Sequence, residues 1–249
     1  MIRAAPVFTR FAVLFAVAFA ATCALTSIDM RLLNGVSVWE KPSKFFFSLA
    51  IHMATLAWGI SLLPEPEQHA QPVRRATCAF MAAALFEMAY MCVQAARGHA
   101  SHFNNATQFE AVLYAAMGAG AVTLTIVTAY LGWRIVRAGT TLTRYAAGWS
   151  FIVAAISTTV VAGYMSSGTG HWVGGALSDA SGLPFFHWST TGGDLRVPHF
   201  AALHIMQAVP LIAWFWPHKR IVQGALIAGI CLVAALFTQS VMGIPLFRV

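Results

Sequence analysis

Charged side chains are scarce in this sequence. Lys and Arg number 15 and Asp and Glu number 8 among 249 residues, which makes 9% charged residues in all. A soluble domain carries about 25%, so this composition excludes a water-soluble globule. Hydrophobic residues make up 59% of the chain, and they fall in repeated apolar runs of about 20 residues, the length that crosses a bilayer. The sequence therefore predicts a protein whose surface is solvated mostly by lipid.

Lysine and cysteine are also rare, and each rarity excludes a class of protein. The chain has only three lysines, which are Lys41, Lys44 and Lys219. None of them lies in the last apolar segment, so a retinal Schiff base there is excluded. The four cysteines show no Cys-x-x-Cys spacing, so we expect no disulfide framework, thiolate zinc site or c-type haem attachment: Cys23, Cys78, Cys92 and Cys231. The net charge of +7 comes from Lys and Arg at the ends of apolar runs, which indicates topology signals and not nucleic-acid binding.

The apolar runs predict an all-α integral membrane bundle. The predicted spans number seven: 10–28, 44–63, 75–96, 108–133, 145–166, 198–216 and 221–247. The first run also has the outline of a secretory signal with the small-residue site Ala18-Phe19-Ala20, and its cleavage would leave six spans. Because the run continues to Ile28, we expect it to be retained. No length remains for a soluble domain, so 1–249 is predicted to be a single transmembrane domain.

Lys and Arg are unequally distributed between the two predicted sides. With the N-terminus inside, nine of them lie on the inner side and six on the outer side, which favours an N-inside, C-outside orientation in a bacterial inner membrane. The only long connection, at about 167–197, lies outside in this arrangement. It is rich in glycine and contains Trp172, Phe185, Phe186 and Trp188. We expect this loop to fold over the outer mouth of the bundle.

Polar side chains are predicted to form a layer in the outer half of the bundle. At a rise of 1.5 Å per residue, His52 and Glu87 each lie about 12 Å from the outer boundary. Similar depths follow for residues on the fourth, sixth and seventh predicted spans, counted from the helix ends: Tyr114, His204, Gln207 and Gln239. Since a carboxyl at this depth costs several kcal/mol unless it is protonated or paired, we expect a functional pocket around Glu87.

Histidines in an apolar bundle suit haem or transition-metal ligation. Without a c-type motif the haem would be b-type, with His52 and His204 as the axial pair and Gln207 and Gln239 beside the cofactor. Glu87 and Tyr114 are the expected catalytic groups, in proton transfer and substrate hydrogen bonding. Further metal ligands are expected from the outer connections, namely His99, His102 and His199, together with His52, Glu87 and His204.

Three functions remain open at this point. The first is redox chemistry on a quinone or another lipophilic molecule, carried out alone, as a homo-oligomer or as a subunit of a larger complex. The second is proton-coupled transport of a small molecule, since an acid with histidines at mid-depth also resembles a proton relay, and Pro210 and Pro245 would kink the last two helices.

The third is intramembrane zinc hydrolysis. Ser48-x-x-x-His52, Glu87 and the pair His199 and His204 resemble in part the pattern of seven-helix zinc hydrolases related to ceramidases and adiponectin receptors. Here the last pair is five residues apart, lies in the sixth predicted helix, and the acid is a glutamate, so the pattern departs from the family's.

Overall fold

The computed structural model describes residues 4–248, and within this range the protein is all-α. Its eight helices are α1 (Ala4–Ile28), α2 (Glu40–Ser61), α3 (Glu65–Gln68), α4 (Gln71–Arg97), α5 (Gln108–Arg137), α6 (Leu142–Ser166), α7 (Arg196–Phe215) and α8 (Lys219–Val241). Two antiparallel pairs of two-residue strands complete it: β1 (Leu32–Leu33) with β2 (Val36–Ser37), and β3 (Trp172–Val173) with β4 (Gly193–Asp194).

Seven of these helices are long and apolar enough to cross a membrane. They coincide with the seven predicted segments, and Pro210 lies inside α7 as expected. The proline-containing break between α2 and α4 contains the single turn α3, which begins after Pro64. One local prediction was wrong. The last helix ends at Val241 and not at 247, because Gly243 adopts a positive φ of 73°, and Pro245 therefore lies beyond the helix. Arg3, part of the orientation count, lies outside the described residues.

The described chain divides into two compact units, 4–138 and 139–248. In the first unit, aromatic rings of α1 fill the interfaces with its neighbours. Phe8 packs edge-on against Phe80 of α4 at 5.2 Å, and Phe15 packs against Phe46 of α2 at the same centroid distance. These four rings are buried or nearly so. Phenylalanine rings thus join α1 to its neighbours in unit 1, within a core that otherwise consists mostly of Ala, Leu, Ile, Val and Met.

The second unit consists of α6, α7, α8 and the long connection between α6 and α7. That connection returns to the helices through the β3–β4 pair, which precedes α7 directly. Gly193 of β4 lies so close to the end of α8 that a side chain there would collide with the carbonyl oxygen of Ser240. The Ser240 hydroxyl also donates to the backbone oxygen of Asp194 at 3.0 Å. The loop is therefore fixed onto the helices of its own unit.

Candidate functional site

Glu87 of α4 is buried in unit 1, with 4% of its surface exposed. It fits there because α5 presents a glycine: a Cβ added to Gly120 would lie 2.7 Å from Oε1 of Glu87. That Oε1 atom has no hydrogen-bond partner among the described residues. Lys41 of α2 is close enough to interact electrostatically with the carboxyl group. Glu87 is therefore buried in unit 1, and one of its carboxyl oxygens has no hydrogen-bond partner among the described residues.

His52 of α2 is buried as well and is held by a hydrogen bond to α5. Its Nε2 lies 2.9 Å from Oγ1 of Thr128, and its ring lies 5.4 Å from that of Phe80. The Thr128 hydroxyl donates to the carbonyl of Leu124 at 2.8 Å. Since a hydroxyl has one proton, His52 Nε2 is then the donor to Thr128. This nitrogen is engaged within the protein and would have to give up its bond to ligate a metal.

The two groups do not share one level in unit 1. His52 contacts Phe80 and Thr128, whereas Glu87 contacts Gly120, and these positions are seven to eight residues apart along α4 and α5. At 1.5 Å per residue they differ by about 10–12 Å along the helix axes. The predicted common layer was wrong for this pair, because its depths were measured from assumed helix ends. The helix α2 begins at Glu40 and not at Lys44, and α4 begins at Gln71 and not at Arg75, so each depth shifts by about 6 Å in opposite directions.

A second buried acid, Glu110, was not predicted as a site residue. Thr107 caps α5 by accepting from the Glu110 backbone at 3.2 Å, and its hydroxyl donates to the Glu110 carboxylate at 3.4 Å. His99 Nδ1 lies 3.5 Å from the same carboxylate and Arg97 lies 3.7 Å from it. The Thr-x-x-Glu spacing of a capping box was the sequence signal for this arrangement. Glu110 fastens the 98–107 connection to α5.

Tyr114 and His102 lie at this same connection. Their ring centroids are 6.0 Å apart, and Tyr114 also packs 5.5 Å from Phe103. His102 Nδ1 lies 3.1 Å from the hydroxyl of Ser101. His99 is instead bound to Glu110, so the His-x-x-His pair is divided between two sets of neighbours. Tyr114 thus packs against the connection, and its predicted role toward a substrate stays a prediction.

In unit 2, His204 lies next to an aromatic cluster formed by the long loop and α7. The cluster consists of Phe186, Trp188 and Phe200: the first two rings stack at 4.3 Å, and Phe200 meets each edge-on at 5.4 Å. The half-buried ring of His204 lies 4.1 Å from Phe200 and interacts with Gln207, one turn further along α7. Loop aromatics therefore pack against α7 within this unit, and the position of the loop over the outer mouth of the bundle stays a prediction.

His199 and Gln239 have different surroundings in unit 2. The Nδ1 atom of His199 is buried and has no hydrogen-bond partner among the described residues. Because five residues separate His199 from His204, the two rings project about 140° apart around α7, and one metal ion would not take both. Gln239 donates from Nε2 to the carbonyl of Pro245 at 2.9 Å, so it holds the segment after α8.

A buried network of charges lies in the loop itself. Arg196 binds Asp194 at 2.7 Å and Asp179 at 2.8 Å, and it also donates to the His187 carbonyl. His171 Nε2 lies 3.5 Å from Asp179. The two-residue spacing of Asp194 and Arg196 allows this pairing, and the structure contains it. Asp179 and His171 were missed, since they are 17 and 25 residues from Arg196 and no spacing rule connects them.

Burial and pairing shift the pKa values of this network. Burial lowers the pKa of His171 below its ordinary value, because the imidazolium is poorly solvated there, although the nearby Asp179 acts in the opposite sense. For Asp179, burial acts to raise the pKa, but hydrogen bonds and charge from His171 and Arg196 outweigh it and the pKa lies below its ordinary value. A neutral histidine beside an ionised carboxylate is the state favoured at neutral pH.

Residues 4–248 contain no group of three or more His, Cys, Asp or Glu side chains placed to hold a metal ion. The six residues of the predicted pocket divide between the units, with His52, Glu87 and Tyr114 in the first and the other three in the second. The shared pocket therefore stays a prediction. The chain shows no significant similarity to any protein-family model, curated protein or solved structure.

Proposed function

We propose that this chain is an integral membrane protein with seven transmembrane helices, its N-terminus inside and its C-terminus outside, in a bacterial inner membrane. The seven long apolar helices support the spans. The surplus of Lys and Arg at alternate helix ends supports the orientation. Aromatic and guanidinium groups alternate at the end of α5, as is typical of a membrane interface: Tyr130, Trp133, Arg134 and Arg137.

We further propose a redox function that uses haem b, with His204 as an axial ligand. The observation that carries this proposal is the contact of His204 with Phe200, whose ring packs in turn against Phe186 and Trp188 in unit 2. A haem needs an apolar, aromatic environment and one or two axial imidazoles, and it does not need the three converging ligands of other metal sites. Gln207 would orient the His204 ring, as partners of ligating histidines commonly do.

A lipophilic quinone is the substrate class that fits this proposal. The aromatic cluster is half-buried and carries the exposed Phe185 at its edge, so a planar ring could approach it from the lipid. The haem would supply electron transfer, while the side chains of α7 and the loop would bind and orient the quinone.

An absorption spectrum of the purified full-length protein tests this proposal. We expect a Soret band and about one haem per chain, and we expect His204→Ala to lose most of it. His218→Ala is the matched control, because His218 lies at the start of α8, apart from the aromatic cluster. A spectrum without a Soret band from haem-replete cells would eliminate the redox proposal, as would equal haem loss in both variants.

Proton-coupled transport is a second candidate, and Glu87 is the observation that favours it. A buried carboxyl with one oxygen unpartnered is suited to take up and release a proton. The proline inside α7 leaves a backbone carbonyl without its helical donor, a feature at which membrane helices bend. The hydrolase alternative receives no such support, since three converging ligands are absent from the described residues.

Glu87→Gln separates the two candidates, with Glu110→Gln as the matched control. Both acids are buried in unit 1, but Glu110 has hydrogen-bonding neighbours at its carboxylate whereas Glu87 Oε1 has none. A transporter should lose pH-gradient-driven uptake in proteoliposomes with the first variant and keep most of it with the second. Unchanged uptake in Glu87→Gln, or equal loss in both, would contradict a proton-carrying Glu87.

A further inference from the structure

A groove of about 350 Å³ lies between the beginning of α4 and the last turns of α5 in unit 1. Its lining is mostly apolar and includes one guanidinium and one phenol: Pro72, Arg75, Ala76, Ile126, Val127 and Tyr130. Pro72, Arg75 and Ile126 are exposed at its rim, and Val127 is buried at its base. The groove therefore combines an apolar floor with a cationic edge.

Positive charge exceeds negative charge at this end of unit 1. The only carboxylate paired there is that of Glu67, which binds Arg134 at 2.9 Å within the described residues. Arg75 makes no hydrogen bond or ion pair with the described part of the chain, and Nε of its neighbour Arg74 is buried without a partner. Two adjacent guanidinium groups are thus left without an anion.

Tyr130 adds a directed donor at the same place. Its hydroxyl oxygen accepts a hydrogen bond from Nη1 of Arg134 at 2.8 Å. The hydroxyl proton remains available for an acceptor on the groove side. A guanidinium and a phenol at one rim are the donors that a phosphate diester would need, and the apolar floor lies where the attached acyl chain would begin.

We propose that this groove binds an anionic phospholipid, with its phosphate at Arg75 and Tyr130 and an acyl chain along Ala76, Ile126 and Val127. Basic pockets between helices at the cytoplasmic face are a recurring form of such sites. The site rests on the proposed membrane insertion and orientation, but it does not depend on haem or on transport. It would tie α4 to α5 at the inner leaflet.

Thermal unfolding of the full-length protein in detergent, with added phosphatidylglycerol or phosphatidylcholine of the same acyl chains, tests this site. A ligand that binds the folded state raises the unfolding temperature with its concentration. We expect phosphatidylglycerol to do so and phosphatidylcholine to do so far less. Arg75→Gln should raise the half-saturating phosphatidylglycerol concentration about fivefold, the effect of one Arg at an anionic membrane surface.

Two further variants make the test specific. Ala76→Phe fills the groove and should remove the lipid effect, whereas Arg220→Gln, an exposed arginine at the start of α8, should leave it unchanged. Because Arg75 makes no contact that its loss would break, Arg75→Gln should keep the unfolding temperature of the lipid-free protein. Equal stabilisation by both lipids, equal weakening by Arg220→Gln, or equal stabilisation by glycerol phosphate alone would overturn the proposal.

Discussion

The triplet Asp-x-Arg occurs once in each unit, and both copies form the same local structure. In Asp29-Met30-Arg31 and in Asp194-Leu195-Arg196, the backbone N–H of the arginine donates to Oδ1 of the aspartate. In both, Nε donates to Oδ1 and Nη2 to Oδ2, at 2.9 and 2.6 Å in the first triplet and 3.0 and 2.7 Å in the second. Each arginine also reaches a distant carbonyl, that of Ala96 or of His187.

Their surroundings differ, and so does the role each can play. The Arg31 side chain is 52% exposed and that of Asp29 is 19% exposed, whereas the values for Arg196 and Asp194 are 25% and 2%. Hydrogen bonds from Arg31 and Trp39 hold the pKa of Asp29 below its ordinary value, but water can replace them. The short-range spacing thus sets the geometry, and burial decides whether the fold depends on it.

Asp194→Asn should have the largest effect, a loss of about 3–5 kcal/mol in the free energy of unfolding, as is typical when one partner of a buried ion pair is removed. The change leaves the Arg196 guanidinium buried with only Asp179 to balance it, and it weakens the bond from the Ser189 backbone. Denaturant or thermal unfolding of the purified protein in detergent measures the loss.

Asp29→Asn is the matched control, because it removes the same bonds at an exposed site. Its unfolding midpoint should stay close to that of the unmodified protein. Similar losses in the two variants would show that burial is not what distinguishes the triplets.

The sequence predicted the helices well because their signals are local. Runs of apolar residues act within a few residues, and the bounds of the seven long helices agree within about four to six residues. The pairing of Asp194 with Arg196 belongs to the same class of local signal. The end of α8 was missed because Gly243 and Pro245 lie in an apolar stretch that outweighed them.

Depth and partners were harder to predict because they depend on how helices align. Glu87 and His52 were assigned one level from assumed boundaries, and their contacts with Gly120 and Thr128 place them about two turns apart. That Glu87 would be buried could be predicted from the cost of exposing a carboxyl to lipid. The glycine that makes room for it could not, since nothing in the sequence of α5 distinguishes Gly120 from Gly118.

Gly120→Ala should have an effect of intermediate size on stability. It tests Glu87, the buried acid that has no guanidinium partner among the described residues. The new methyl group would lie 2.7 Å from Glu87 Oε1, and overpacking of this kind costs about 1–3 kcal/mol in unfolding free energy. Gly118→Ala is the control in the same helix, because nothing lies within 4 Å of a Cβ there. Adding Glu87→Ala should rescue the first variant, and additive losses in the double variant would refute the contact.

The smallest effect is a pH dependence of local stability, which we expect in the network around the buried triplet and not around the exposed one. The pKa of His171 in the folded chain is below its ordinary value, so the unfolded chain takes up a proton first as the pH falls through about 6.5. The contribution to stability is fully present above that pH and is lost below it. The groups that face His171 are Asp179, Asp194 and Arg196. The pKa of Asp179 lies below its ordinary value, so this acid stays ionised in this range and the change follows the histidine. Protease cleavage in the loop should therefore be faster at pH 5.5 than at pH 7.5, normalised to a reference substrate.

The variant His171→Gln is the control and should remove this difference, while cleavage near Arg31 should not respond to pH in either protein. A response that survives in the variant would place the titrating group elsewhere.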